Sequence, residues 1–206
     1  MRRHSAFRDY LALALVLAGL VLFFGAVSDR FLTVTTFSTI ANRIPTLALV
    51  ATGMTLVLIS GGIDLSVGSV LALAGSVAGV ALVDWHWPFV ACAALGVAVG
   101  VAAGAANGAI TVGLAVPPFI VTLGMLEMAR GLAYLTTASQ TKYLGAAVEG
   151  LARPLGASGL SPAFVVALLV ALAAQVVLSR TVFGRYLVAI GTNEAATRLA
   201  GIDPSP

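Results

Sequence analysis

Between Tyr10 and Leu178 the sequence is a succession of apolar runs separated by short polar or glycine-rich breaks. A helix that crosses a bilayer needs roughly 20 mostly apolar residues. The runs at 10–27, 44–60, 65–83, 89–113, 119–137 and 163–178 approach or meet that length. They predict an all-α, polytopic transmembrane helix bundle of about six spans. A water-soluble domain is excluded, because 60% of the residues are hydrophobic and 9% charged, which leaves almost nothing to face water. Arg2, Arg3 and Arg8 before the first run resemble the start of a secretion signal, but the run is longer than a signal core and further runs follow it. It is read as the first membrane helix.

Each break carries its own signal. Ser28 to Arg43 is polar and threonine-rich, and reads as a loop or interfacial segment. Gly61 and Gly62 end the second span, and Asp64 is placed to accept hydrogen bonds from the first free amides of the third. Asp84, Trp85, His86, Trp87 and Pro88 form an aromatic belt at headgroup level. The fourth apolar stretch continues to Val116, so it either tilts or breaks near Asn107 and Gly108 before Pro117 and Pro118 stop it. The stretch from Ala138 to Ser161 reads as an extramembrane loop, and 179–206 as a polar tail.

Charge sets the orientation. With the N-terminus inside, Arg2, Arg3, Arg8, Arg180, Arg185 and Arg198 are cytoplasmic, whereas Arg30, Arg43, Lys142 and Arg153 are external. The excess of positive charge inside favours that arrangement. The net charge of +3 suits anionic lipid headgroups. It does not suggest nucleic acid, since the basic residues are scattered and not interleaved with aromatics. The single cysteine, Cys92, excludes an internal disulfide and a multi-cysteine metal cage, and no metal site is expected.

Few residues inside the apolar runs are able to carry chemistry. Gly96, Gly100, Gly104 and Gly108 recur every four residues on one helix face, serving either tight helix packing or a smooth surface along which helices rock. Glu127 and Arg130 stand three apart within the fifth run; each alone would cost about 2.5 to 3.5 kcal/mol at the bilayer centre, and pairing offsets part of that. They anchor structure or shape a pathway, as do Asp64 and the amide of Asn107. His86 beside two tryptophans reads as an interface residue. No nucleophile elbow, metalloprotease helix or phosphate-binding glycine loop is present, so no catalytic residues are assigned and an energy source must come from a partner or a gradient.

The tail is the most specific region. From Thr192 or Asn193 as cap, through Glu194, Ala195, Ala196, Thr197, Arg198 and Leu199 to Gly201, the residues predict a short capped helix. Ala195, Ala196 and Leu199 share a face suited to docking in a groove on another protein, the alternative being a plain re-entry turn.

Three separated segments resemble one family: Ile59-Ser-Gly-Gly-Ile-Asp-Leu-Ser-Val-Gly68, Pro117-Pro-Phe-Ile-Val-Thr-Leu-Gly-Met125 with Arg130, Gly131 and Leu132, and Phe183 to Ile202. They are similar to the permease subunits of ATP-binding-cassette importers for ribose, xylose, arabinose and galactosides. The resemblance runs from about Arg43 onward. It implies a single permease domain over 1–206 whose segment 179–206 is cytoplasmic and holds the ATPase-coupling residues Asn193, Glu194, Ala195, Ala196, Arg198 and Gly201. It also implies a bacterial inner membrane location, a cytoplasmic ATPase subunit that hydrolyses ATP, a periplasmic sugar-binding protein and a second permease copy. No cofactor is expected on this chain itself. Family permeases continue with further helices past the coupling segment, so the resemblance implies a chain truncated at its C-terminus; Glu127 departs from the family pattern. Two other functions fit the residues: a gradient-driven secondary transporter with Asp64, Glu127 and Arg130 as an ion relay, and a nonfunctional permease fragment.

Overall fold

A computed structural model describes residues 3–156 and 159–202, with side chains from Leu11 onward within the first helix. Its elements are α1 (Arg3–Val27), α2 (Val34–Arg43), α3 (Pro45–Ile59), α4 (Val67–Val83), α5 (Phe89–Gly113), α6 (Pro118–Thr137), α7 (Ala146–Ala152), α8 (Pro162–Arg180), α9 (Val182–Thr192) and α10 (Glu194–Leu199). Among the described residues there is no strand, so the chain is an all-α bundle. By length and composition α5, α6 and α8 are each able to cross a membrane. The pair α2 and α3, bent by 46° between them, makes a fourth such segment. Leu11–Val27 and α4 are shorter apolar helices, near the lower limit of about 17 residues for a crossing. About six spans therefore fit these elements.

Proline and small polar residues set the boundaries. Pro45, Pro118 and Pro162 open α3, α6 and α8, where the missing N–H costs nothing. The Ser161 hydroxyl accepts from the Phe164 amide at 3.3 Å and starts α8. Thr33 caps α2 in the same way.

Several expectations from the sequence are corrected here. Of the two readings of Ser28 to Arg43, a loop or an interfacial segment, the loop is corrected, because α2 forms within it. The segment read as the loop 138–161 contains the seven-residue α7. The long fourth stretch does not break at Asn107 and Gly108: α5 runs unbroken to Gly113 and stops only where Ala115 takes a positive φ of 52° ahead of the two prolines. The tail holds two helices, since α9 precedes the expected one.

Two groups of helices pack separately. In one, α4 lies against both α5 and α6; in the other, α3 lies against α8, which also carries α2, α7 and α9. Helix α1 makes no extensive contact with either. Most buried positions are small, among them Ala81, Ala129, Ala103, Ser69 and Gly79. Large apolar residues such as Leu22, Val97 and Leu135 face outward. That inversion suits a lipid solvent, where helices are held by close van der Waals approach rather than by burial of bulk from water. The amphipathic α2 is tied to the segment before α8: Asn42 Nδ2 donates to the Gly159 carbonyl at 2.9 Å, its Oδ1 accepts from the Ser161 amide at 2.7 Å, and Ser38 donates to the same carbonyl.

The glycine face of α5 divides into two parts. A methyl group at Gly96 would stand 3.5 Å from the Ala74 carbonyl oxygen and 3.6 Å from the Ala78 Cβ, which is ordinary contact across the α4–α5 seam. Methyl groups at Gly100, Gly104 and Gly108 would meet nothing within 4 Å. Only Gly96 packs at the α4–α5 seam. Gly96→Leu is therefore expected to cost about 1–3 kcal/mol by overpacking, whereas Gly100→Ala gains about 0.5–1 kcal/mol of helix propensity. Detergent-unfolding midpoints of the two variants check this; equal midpoints would refute it.

Candidate functional site

The turn between α3 and α4 is built by its sequence. Gly61 adopts φ +84°, a conformation that an L side chain rarely takes, and reverses the chain after α3. Asp64 then folds over the next residues, with its Oδ1 accepting from the Ser66 amide at 2.7 Å and the Ser66 hydroxyl at 2.6 Å. Ser66, not Asp64, occupies the N-cap position of α4. The expectation of Asp64 as a helix cap is corrected to an Asx-type turn that holds the capping residue in place.

Two further helices meet this turn. From α5, Asn107 Nδ2 donates to Ser66 Oγ at 3.1 Å. From α6, Thr122 Oγ1 accepts from the Leu65 amide at 3.1 Å and lies 3.3 Å from the carbonyl oxygens of Ile63 and Phe119, to either of which it can donate. The hydrogen bonds thus run in one direction, from Asn107 to Ser66 to Asp64. Ser66, Asn107 and Thr122 are 1%, 7% and 4% exposed, so the cluster is the most buried polar feature joining α4, α5 and α6. Among the described residues Asn107 Oδ1 is buried without a partner. Ser66 and Thr122 lay inside motifs visible in the sequence, but nothing in a linear reading pairs them with Asn107, 41 residues from Ser66.

Two grooves flank α4. One, of about 630 Å³, lies between α3 and the α4–α5 pair; its walls are apolar except for Asp64, Ser66 and Asn107, and Gly96, Gly100 and Gly104 form part of them. Gly108 does not line it. The other, of about 780 Å³, follows the α4–α6 seam and is richer in polar groups, including Ser69, Ser76, Arg130, Thr137, Gln140 and Lys142. At one end of the seam Lys142 Nζ contacts both Asp84 carboxylate oxygens at 2.7 and 2.9 Å, while a methyl group at Gly79 would stand 3.4 Å from the Leu144 Cδ2. Glu127 and Arg130 approach to 3.5 Å and are more than half exposed, and only Arg130 lines the groove. The structure therefore brings Glu127 to Arg130, and Asp64 to Asn107 through Ser66, but Arg130 lines one groove while Asp64 and Asn107 line the other. Among the described residues no group of three or more His, Cys, Asp or Glu gathers to hold a metal.

The tail closes on a short, capped helix. Asn193 Oδ1 accepts from the Ala196 amide at 3.0 Å and caps α10. Glu194 and Arg198 pair at 3.0 Å one turn apart. Gly201, at φ +79°, lets its own amide reach the Arg198 carbonyl at 3.0 Å and the Ile202 amide reach Thr197 at 3.2 Å, a double closure that ends the helix. Thr197 is buried, Ala195 and Ala196 are exposed, and Leu199 is 91% exposed. An apolar side chain so fully presented beside two alanines is the feature of the tail that weighs most, and it lies with them on the face that the sequence offered for docking.

A family model described as "Branched-chain amino acid transport system / permease component" matches residues 36–206. The ribose import permease protein RbsC of Escherichia coli K12 is 37% identical over 191 residues, covering 89% of this chain and 58% of that protein. The autoinducer 2 import system permease protein LsrC of Enterobacter sp. strain 638 is 36% identical over 203 residues, 98% of this chain and 56% of LsrC. The fructose import permease protein FrcC of Rhizobium meliloti is 29% identical over 201 residues, 94% of this chain and 54% of FrcC. The chain thus spans somewhat more than half the length of these curated relatives. No solved structure matches it. With its membrane-length helices and a family match that extends from α2 through the tail, the chain belongs to the family of permease components of transport systems that this model describes.

Proposed function

We propose that the chain acts within the membrane permease subunit of an ATP-driven importer in a bacterial inner membrane, and that its cargo is a monosaccharide of the ribose type. A periplasmic binding protein delivers the sugar, a separate cytoplasmic ATPase subunit hydrolyses ATP, and two permease copies enclose the path. The chain itself carries no catalysis. The single observation behind this reading is α10: a short helix, closed at both ends and presenting Leu199, set just beyond the last long apolar helix. Relatives named for ribose, fructose and autoinducer 2 import support a sugar over a branched-chain amino acid as cargo. The polar groups along the α4–α6 seam suit a hydroxyl-rich solute, with Arg130 on its wall. The six-to-four distribution of basic residues supports a cytoplasmic N-terminus and tail. The separation of Asp64 from Glu127 and Arg130 weighs against an ion relay.

The test is uptake of labelled ribose in cells that lack their own ribose permease and express this permease with its cognate ATPase and binding protein. Expected is uptake that persists in the presence of an uncoupler and disappears when the ATPase subunit carries an inactive phosphate-binding loop. Uptake that collapses with the uncoupler and ignores the ATPase variant overturns the proposal.

A further inference from the structure

We infer that the backbone contact of Gly191 with the end of α3 is the joint through which α10 moves the Asp64–Ser66–Asn107–Thr122 cluster; this rests on the coupling role proposed above. Among the helices of the tail, α10 packs on α9, and α9 packs on α8 and α3. The contact with α3 is unusually intimate. A methyl group at Gly191 would overlap the Ile59 carbonyl oxygen and stand 2.9 Å from the Ile59 carbonyl carbon and 3.0 Å from that of Ser60. Across the same contact, a methyl at Gly61 would lie 3.7 Å from the Gly191 Cα. Two glycines thus meet back to back, with no side chain between them to absorb a displacement.

The far end of the connection is equally defined. Three residues after Gly61, Asp64 holds Ser66 through two short hydrogen bonds, and Asn107 and Thr122 fix the same turn to α5 and α6. The segment from Ser60 to Ser66 is accordingly a short crank. One end is seated on α9 and the other is pinned to the three-helix group that bears the polar groove. The two helix groups share little packing elsewhere, since α3 makes no extensive contact with α4, α5 or α6. A shift of α9 is therefore delivered to the start of α4. Gly191 is a positioning residue: it touches no solute, and only a glycine permits the approach.

The experiment uses the permease expressed from its complete gene, reconstituted with its ATPase and binding protein in proteoliposomes. ATP hydrolysis, ribose uptake and subunit co-purification are measured together. Gly191→Ala is expected to retain co-purification and hydrolysis while ribose transported per ATP falls at least tenfold. A second variant inserts one glycine between Gly61 and Gly62, leaving both helices and the Gly191 contact in place but slackening the crank. It is expected to show the same loss, and it decides the matter where Gly191→Ala does not accumulate. Coupling within twofold of the parent in the insertion variant, or in an assembled Gly191→Ala complex, overturns the inference. A parent complex without ATP-driven uptake overturns the functional reading instead, so the two failures are distinguishable.

Discussion

On the docking role proposed for α10, Leu199→Asp is expected to detach the permease from its ATPase subunit while leaving the amount of permease in the membrane unchanged. Leu199 is almost entirely exposed at the end of α10, so the change removes no contact among the described residues and the helix keeps its Asn193 cap and its Gly201 closure. Docking of a leucine into a partner groove contributes about 1.5–3 kcal/mol through apolar burial. An aspartate in its place adds the cost of desolvating a charge, so a weakening of about 30-fold or more is expected. Co-purification from detergent extracts, with Leu199→Met as the conservative control, measures it. Equal recovery of the ATPase with Leu199→Asp and with the parent would show that α10 is not the docking element.

The second large effect is on stability. Ser66→Ala removes the hydroxyl that accepts from Asn107 and donates to Asp64, and the Asn107 carbonyl oxygen already lacks a partner. The variant leaves the whole Asn107 amide buried and unpaired. Polar contacts between membrane helices average only about 0.6 kcal/mol, because the unfolded chain in the bilayer finds other partners. An orphaned buried group costs more, about 1–3 kcal/mol. We expect the larger figure for Ser66→Ala. Replacing both partners removes the orphan, so Ser66→Ala with Asn107→Leu should recover part of the loss. Detergent-unfolding midpoints of the single and double variants distinguish the two; a double variant less stable than Ser66→Ala would contradict the account.

Helices were legible in the sequence wherever one physical rule dominated. Long apolar runs announced α5, α6 and α8, and the spacing of Asn193, Glu194 and Gly201 announced α10 with its cap and its stop. Where two rules competed, the reading was poorer. The threonines of α2 signal loop when read by polarity, yet Thr33 caps a helix whose apolar side is formed by Val34, Phe37 and Ile40. Asn107 and Gly108 suggested a break in α5, but a helix interior tolerates an amide that finds a partner, and Ser66 provides it. The candidate site was partly visible. Asp64 and Asn107 stood out as polar residues in apolar runs, whereas their junction at Ser66 depends on a contact 41 residues away. Gly191 gave no sign of its importance, since what distinguishes it is the carbonyl of Ile59 pressed against it.

The bend between α2 and α3 has a consequence for the surrounding lipid. With α2 turned away by 46°, the part that descends is the 15-residue α3, about 22 Å at 1.5 Å per residue. A hydrocarbon core is about 30 Å thick, so even an upright α3 falls about 8 Å short, which the bilayer meets by thinning or the bent α2 by entering it. Such a mismatch costs fractions of a kcal/mol per Å, which is enough to make the height of Gly61 depend on acyl-chain length.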